Sequence, residues 1–331
     1  MSLLDTLKFV RGGVARKDLA PILNHFRIKN GVISGSNGSI AISAPIDLSL
    51  NCQPKAEPFT NAIKICEDMD KVPALSLTAA GRLTVKAGSF KVHIECLDEE
   101  FPDVEPDGQT IALEPGIMEA FNVLEPLIGE DASRPWCRGI LLRGGSAFAT
   151  NNAAIGQYWV NAQLPFDLNI PDEAIREILR AKDAPSLLRA TERSATFVWE
   201  DGRQIKTQLL NTHWPDVSPV LDRPCVARGV PTGFFEGLGQ LAKYTDAANR
   251  VFFRDRELRT SRADEDGASV ELDEVLPAGI YNLKLLRALD GLVATVDFSL
   301  YPAPALFFGP VTDSGYPLFR GAIVGMRGDA L

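Results

Sequence analysis

The sequence predicts an α+β protein built from three copies of one module, each alternating short helices with antiparallel strands. Two echoes predict this. A strand ending in an aromatic-Pro-Asp turn occurs twice, as SFKVHIECLDEEFPD closing at Asp103 and GRQIKTQLLNTHWPD closing at Asp216. That interval is close to a third of the 331 residues, the spacing expected of tandem modules of ordinary domain size. In addition, PILNHFRIKNGVISGSNGSIAI from Pro21 aligns with RPWCRGILLRGGSAFATNNAAI from Arg134, and more loosely with ANRVFFRDRELRTSRADEDGASV from Ala248. Each reads as an apolar strand, a turn, a second strand and another turn.

The elements follow in order. The chain opens on a helix with Leu3, Leu7 and Val10 on one stripe and Lys8 and Arg11 on a neighbouring face, because residues three or four apart share a side. Gly35-Ser36-Asn37-Gly38 lacks the lysine and following helix of a phosphate loop, so it reads as a hairpin turn. PFTNAIKICEDMD, PDEAIREILRAKD and IYNLKLLRALDGL read as helices, each after a Pro or Gly break and each followed by a strand pair. PGIMEAFNVLEPLIGED is a further helix with no basic residue. Boundaries near Asp107-Gly108 and in the Pro- and Gly-rich stretch from Leu221 to Val230 divide the chain into 1–107, 108–221 and 222–331.

Composition narrows the function. With 34 Lys+Arg against 43 Asp+Glu the net charge is −9, and each third is itself acidic, so no module grips nucleic acid by bulk charge. Positive surface must be local. Arg16 and Lys17 follow the first helix, Arg176 and Arg180 lie one turn apart in the middle third, and Lys284 and Arg287 share a side opposite a leucine stripe. Two readings stay open: solvated helix faces, or weakly basic faces turned to one channel. No apolar run approaches the ~20 residues that span a bilayer, and no leader is expected. The five scattered cysteines contain no Cys-x-x-Cys pair and read as a reduced, cytoplasmic set.

No catalytic constellation emerges. His93 and Cys96 stand three apart on a strand and point to opposite faces. Asp98, Glu99, Glu100 and Asp103 read as a solvated turn rather than a metal site, and His25 and His213 as scaffold histidines. Trp136, Trp159, Trp199 and Trp214 could stack bases but read as core.

The sequential combination resembles the processivity clamp of bacterial replication, the beta subunit of DNA polymerase III. PILNHFRI resembles that family's first-domain strand, and RGILLRGGSAFATNN its second-domain strand pair and turn. QIKTQLLNTHWPDVSPVL resembles the strand, turn and exit into the third domain, and IVGMR the closing strand. The resemblance covers nearly the whole chain. It implies three clamp domains, with helices on an inner face and antiparallel sheets outside, forming half of a pseudo-sixfold ring. Two copies would close head to tail around double-stranded DNA, and a DNA polymerase and a clamp loader would dock through short peptides. No cofactor, metal, catalysis or membrane is implied.

By the same resemblance, Lys17 takes the place of a DNA-contacting arginine beside Arg16, and Arg134 the matching place in the second domain. The peptide cleft would include Cys137, Thr150, Ile155, Val324 and Met326; Phe101 and Val104 would face Leu241 and Tyr244 of the second copy. Departures are visible. The family's opening strand has no counterpart before the first helix, Asn152-Ala153-Ala154 stands for Gly-His-Arg, and Gly325 replaces a proline. They fit a diverged clamp, phage- or plasmid-borne. The alternative is a three-repeat structural or interaction protein without a DNA role, which needs neither basic inner helices nor an apolar cleft.

Overall fold

The computed structural model describes residues 1–15, 20–102, 104–161 and 164–328. The first third runs α1 (Leu3–Val10), β1 (Arg27–Lys29), β2 (Val32–Ser36), β3 (Ile40–Pro45), β4 (Gln53–Pro54), α2 (Ala56–Asp68), β5 (Ala74–Leu77), β6 (Leu83–Ala87), β7 (Phe90–Ile94) and β8 (Cys96–Leu97). The second runs β9 (Gln109–Ala112), α3 (Ile117–Leu124), β10 (Gly139–Arg143), β11 (Ser146–Thr150), β12 (Ala154–Trp159), β13 (Leu168–Pro171), α4 (Asp172–Arg180), β14 (Leu187–Ala190), β15 (Ser194–Val198) and β16 (Gln204–Gln208). The third begins with α5 (Ser218–Leu221), β17 (Arg228–Gly229), α6 (Phe234–Leu241), β18 (Arg250–Arg254), β19 (Glu257–Arg259) and β20 (Ser269–Glu271). It ends with β21 (Gly279–Asn282), α7 (Leu283–Arg287), β22 (Thr295–Asp297), β23 (Ala305–Phe308) and β24 (Phe319–Ile323).

The recurrence extends to single atoms. At the β2–β3 turn, Ser36 Oγ donates to Ile40 O while Asn37 Oδ1 accepts from the Ser39 and Ile40 amides. At the β11–β12 turn, Thr150 Oγ1 donates to Ala154 O while Asn151 Oδ1 accepts from the Ala153 and Ala154 amides. Short polar side chains that satisfy the backbone of a tight turn explain why these residue types recur there. One helix is shorter than its sequence suggests. Ile280 and Tyr281 belong to β21, paired with Phe252 and Val251, and Asn282 caps α7 by accepting from the Leu285 amide. Buried aromatic and β-branched side chains favour the sheet there.

By packing, the chain forms two compact units, and their division cuts through the second predicted module. The first unit, Met1–Pro115 with Glu173–Leu210, carries a seven-stranded sheet in the order β1-β2-β3-β16-β15-β14-β9. It also holds β5-β6-β7 and the ladder β4-β8. β14 is flanked by β9, whereas β5 has no such flanking strand among the described residues. α1 presents Leu4, Leu7, Phe9 and Val10 to the core, and Phe9 meets Trp199 edge-on at 6.0 Å.

The second unit, Gly116–Asp172 with the described residues from Asn211 onward, carries an eight-stranded sheet, β13-β10-β11-β12-β24-β23-β22-β17, and a four-stranded one, β20-β19-β18-β21. Its core is aromatic: Phe234, Phe253, Tyr281 and Phe298 touch in tilted and edge-on pairs. Trp199 and Trp214 are buried as expected, and Trp136 and Trp159 are half-buried. His25 is buried with Nδ1 2.7 Å from Pro21 O, but His213 is exposed rather than a packed scaffold residue.

Candidate functional site

Two surfaces gather the side chains singled out in the sequence. The first, in the first unit, is a cleft of about 800 Å³ where the turn after α1, the start of α2 and the end of α4 converge. Lys8, Arg11, Lys55 and Arg180 line it with two carboxylates, Glu57 and Glu177, so cations outnumber anions. Lys8 and Arg11 are exposed, and Arg11 meets Glu57 only at 3.6 Å, a weak pairing that solvent screens.

Arg180 is committed elsewhere. It donates to Lys8 O (3.1 Å) and Phe9 O (2.9 Å) and pairs with Glu177, satisfying carbonyls that the end of α1 leaves open. Gly12 permits this approach, since a Cβ there would lie 2.0 Å from Glu177 Oε2. Val14 and Ala15 continue the cleft wall; Arg16 and Lys17, the next basic residues in the chain, lie outside the described residues.

The second surface is the joint of β12 with β24 in the second unit. Ile155 stands opposite Ala322, and these two pack with Leu221 and Leu306 as a buried apolar cluster. Phe148, Val217, Val220 and Phe308 pack around it while remaining partly exposed. Of the predicted cleft residues, Thr150 and Ile155 are a cross-strand pair, and Val324, 42% exposed, follows β24 with its amide donating to Ala153 O. Met326 is half-buried and tied to Ile280 O and the Tyr301 hydroxyl through its backbone.

Cys137 is different. It is fully buried, its thiol donates to Arg134 O, and a Cβ on Gly129 would lie 2.4 Å from its sulfur. It is therefore packed inside the chain beside Gly129 and does not line a surface; burial also pushes its pKa up. Val217 and Val220 were legible only as a pair one helical turn apart behind the WPD turn.

The remaining predicted residues divide by exposure. Arg134, Arg176, Lys284 and Arg287 are exposed, with Arg134 3.9 Å from Asp131. Phe101 and Val104 are buried with Ile22 and Ala41, and Leu241 sits in the α6 core. These three are buried within the single chain, whereas Tyr244 is 64% exposed. Among the described residues no group of three or more His, Cys, Asp or Glu could hold a metal, and no helix is long and apolar enough to cross a membrane.

Comparison with known proteins finds no matching family model and no matching curated relative. Solved structures do match. A beta sliding clamp from C. crescentus aligns with a TM-score of 0.81 at 18% identity, over 98% of this chain and 97% of that one. The fold is that of a sliding clamp. A DNA polymerase III subunit beta clamp from Pseudomonas aeruginosa gives a TM-score of 0.78 at 16% identity, with the same coverage of both chains. A Helicobacter pylori beta clamp, solved bound to a DNA ligase peptide, gives 0.79 at 16% identity, again over 98% and 97%. At such identities the likeness is one of architecture, and the clamp fold covers essentially the whole chain.

Proposed function

We propose that this protein is a DNA sliding clamp, of which two copies close head to tail around duplex DNA and tether a polymerase through a peptide held at the β12–β24 joint. The pattern of strand edges carries the reading. β3 joins β16, and β12 joins β24, so a hairpin strand of one module twice meets the last strand of the next. The counterparts β20 and β7 each end a sheet among the described residues. An open edge invites another strand. Pairing β20 of each copy with β7 of the other would repeat the joint and close the assembly.

Encirclement reconciles a net charge of −9 with a DNA partner. Retention comes from topology, while modest contacts from Lys8, Arg11, Arg176, Lys284 and Arg287, with Arg16 and Lys17, leave the duplex free to slide. Strong phosphate pairing would oppose that motion. The partly exposed apolar side chains at the β12–β24 joint suit a Leu- or Phe-anchored peptide, and the H. pylori clamp solved with a ligase peptide supports peptide docking on this fold. We further propose the module boundaries 1–107, 108–221 and 222–331, and cytoplasmic work without a catalytic step. Solution mass tests the assembly: twice the 36.0 kDa chain is expected, and a single-chain mass persisting at high concentration contradicts it.

A further inference from the structure

The ladder of β4 with β8 pairs Gln53 with Leu97 and Pro54 with Cys96. Alternate residues share a face of a strand, so Cys52, just before β4, lies on the same side as Cys96 and diagonal to it. The two thiols hydrogen-bond each other although 44 positions separate them in the chain. Their backbones are fixed: the Cys52 amide donates to Ile28 O and accepts from the Ile28 amide through its carbonyl, and the Lys55 amide donates to Glu95 O. Both cysteines are unbridged and only half-buried, whereas Cys66 and Cys137 are buried.

We propose that Cys52 and Cys96 form a thiol–disulfide exchange site, in which Cys96 first attacks a small-molecule disulfide such as oxidised glutathione and Cys52 resolves the adduct into an intramolecular bridge. The Cys96 thiolate attacks one sulfur of the reagent; the reagent's S–S bond breaks and one glutathione thiolate leaves. Cys52 then gives up its proton and attacks the Cys96 sulfur, expelling the second glutathione. Two protein thiols are oxidised, and one glutathione disulfide is reduced to two thiols. The order follows from the local electrostatics. The Cys52 S–H, and next the Leu83 amide, donate to Cys96 and lower its pKa to about 7 against burial and the nearby Glu95 charge. Donation to Cys96, then burial, pushes Cys52 well above the ordinary thiol value. A thiolate present near neutral pH is the competent nucleophile, and transient bridges of this kind are the form that disulfides take in reducing compartments.

The full chain treated with oxidised glutathione at neutral pH, then digested without reductant and weighed, tests this. The expected product is one peptide pair linked through Cys52 and Cys96, with two hydrogens lost and no glutathione retained. Cys52→Ser should hold a persistent glutathione on Cys96, and Cys96→Ser should leave Cys52 unmodified over the same time. Equal adducts at both positions without a bridge, or a bridge to another cysteine, overturn the proposal. A measurement on the unaltered chain guards against misfolded variants: iodoacetamide should label Cys96 roughly tenfold faster than Cys52, and equal rates refute the assigned order.

Discussion

Two joints in this chain share one geometry and differ in what covers them. In the first unit Ala41 of β3 faces Lys206 of β16; in the second, Ile155 of β12 faces Ala322 of β24. The matching turns at Ser36 and Thr150 make these positions equivalent. Lys206 reaches to Glu105 O at 2.6 Å and to Asp107 at 3.6 Å, drawing the exit segment across its joint, where Phe101 and Val104 join the buried cluster around Ala41. The second joint has an alanine in place of that lysine. Its polar tie lies two cross-strand pairs away, from Arg320 to Asp222 at 2.5 Å, and Phe148, Val217, Val220 and Phe308 stay partly open to solvent. The first joint is covered by its exit segment, with Ala20, Leu23 and Leu97 partly exposed at its edge. The other keeps an apolar surface available, which a chain in water retains at a cost unless something binds there.

That contrast can be broken in several ways. The largest effect is expected from Val220→Asp, since a carboxylate on the open joint must be desolvated by any apolar anchor. A Leu- or Phe-anchored polymerase-tail peptide should lose about 30- to 100-fold in affinity by calorimetric titration, with solution mass unchanged. Ile155→Ala combined with Met326→Ala should weaken the same peptide roughly tenfold; equal affinity would remove the joint as its receptor. At the covered joint, Lys206→Met should cost about 1 kcal/mol of stability through the lost charged hydrogen bond, seen as a lower melting temperature, while peptide affinity stays the same. The smallest effect should come from Lys8→Ala with Arg11→Ala, which should lower the salt dependence of DNA binding by about one unit of slope per residue and leave assembly intact.

The match between the β2–β3 and β11–β12 turns was legible because turn chemistry is local: Ser36-Asn37 and Thr150-Asn151 must satisfy their own backbone wherever they occur. The apolar stripe of α1 followed from helical spacing at Leu7 and Val10, although Leu3 is only half-buried. What escaped was set by long-range pairing. Nothing local reveals that β3 pairs with β16, that Arg180 satisfies carbonyls 172 and 171 positions away, or that Cys52 meets Cys96. Cys137, Phe101, Val104 and Leu241 matched a pattern in sequence, yet the depth of each side chain depends on neighbours that the pattern does not contain. The open joint itself was half legible: Thr150, Ile155 and Val324 were named, whereas Phe148, Val217 and Val220 fall on the surface only once β12 and β24 are joined.

Retention on circular DNA tests encirclement most directly. Protein assembled by a clamp loader on a nicked plasmid and freed of unbound material should remain bound while the circle is intact and run off once a restriction enzyme linearises it. Equal loss from both forms, or equal retention on both, would contradict a hold that depends on a closed path around the duplex.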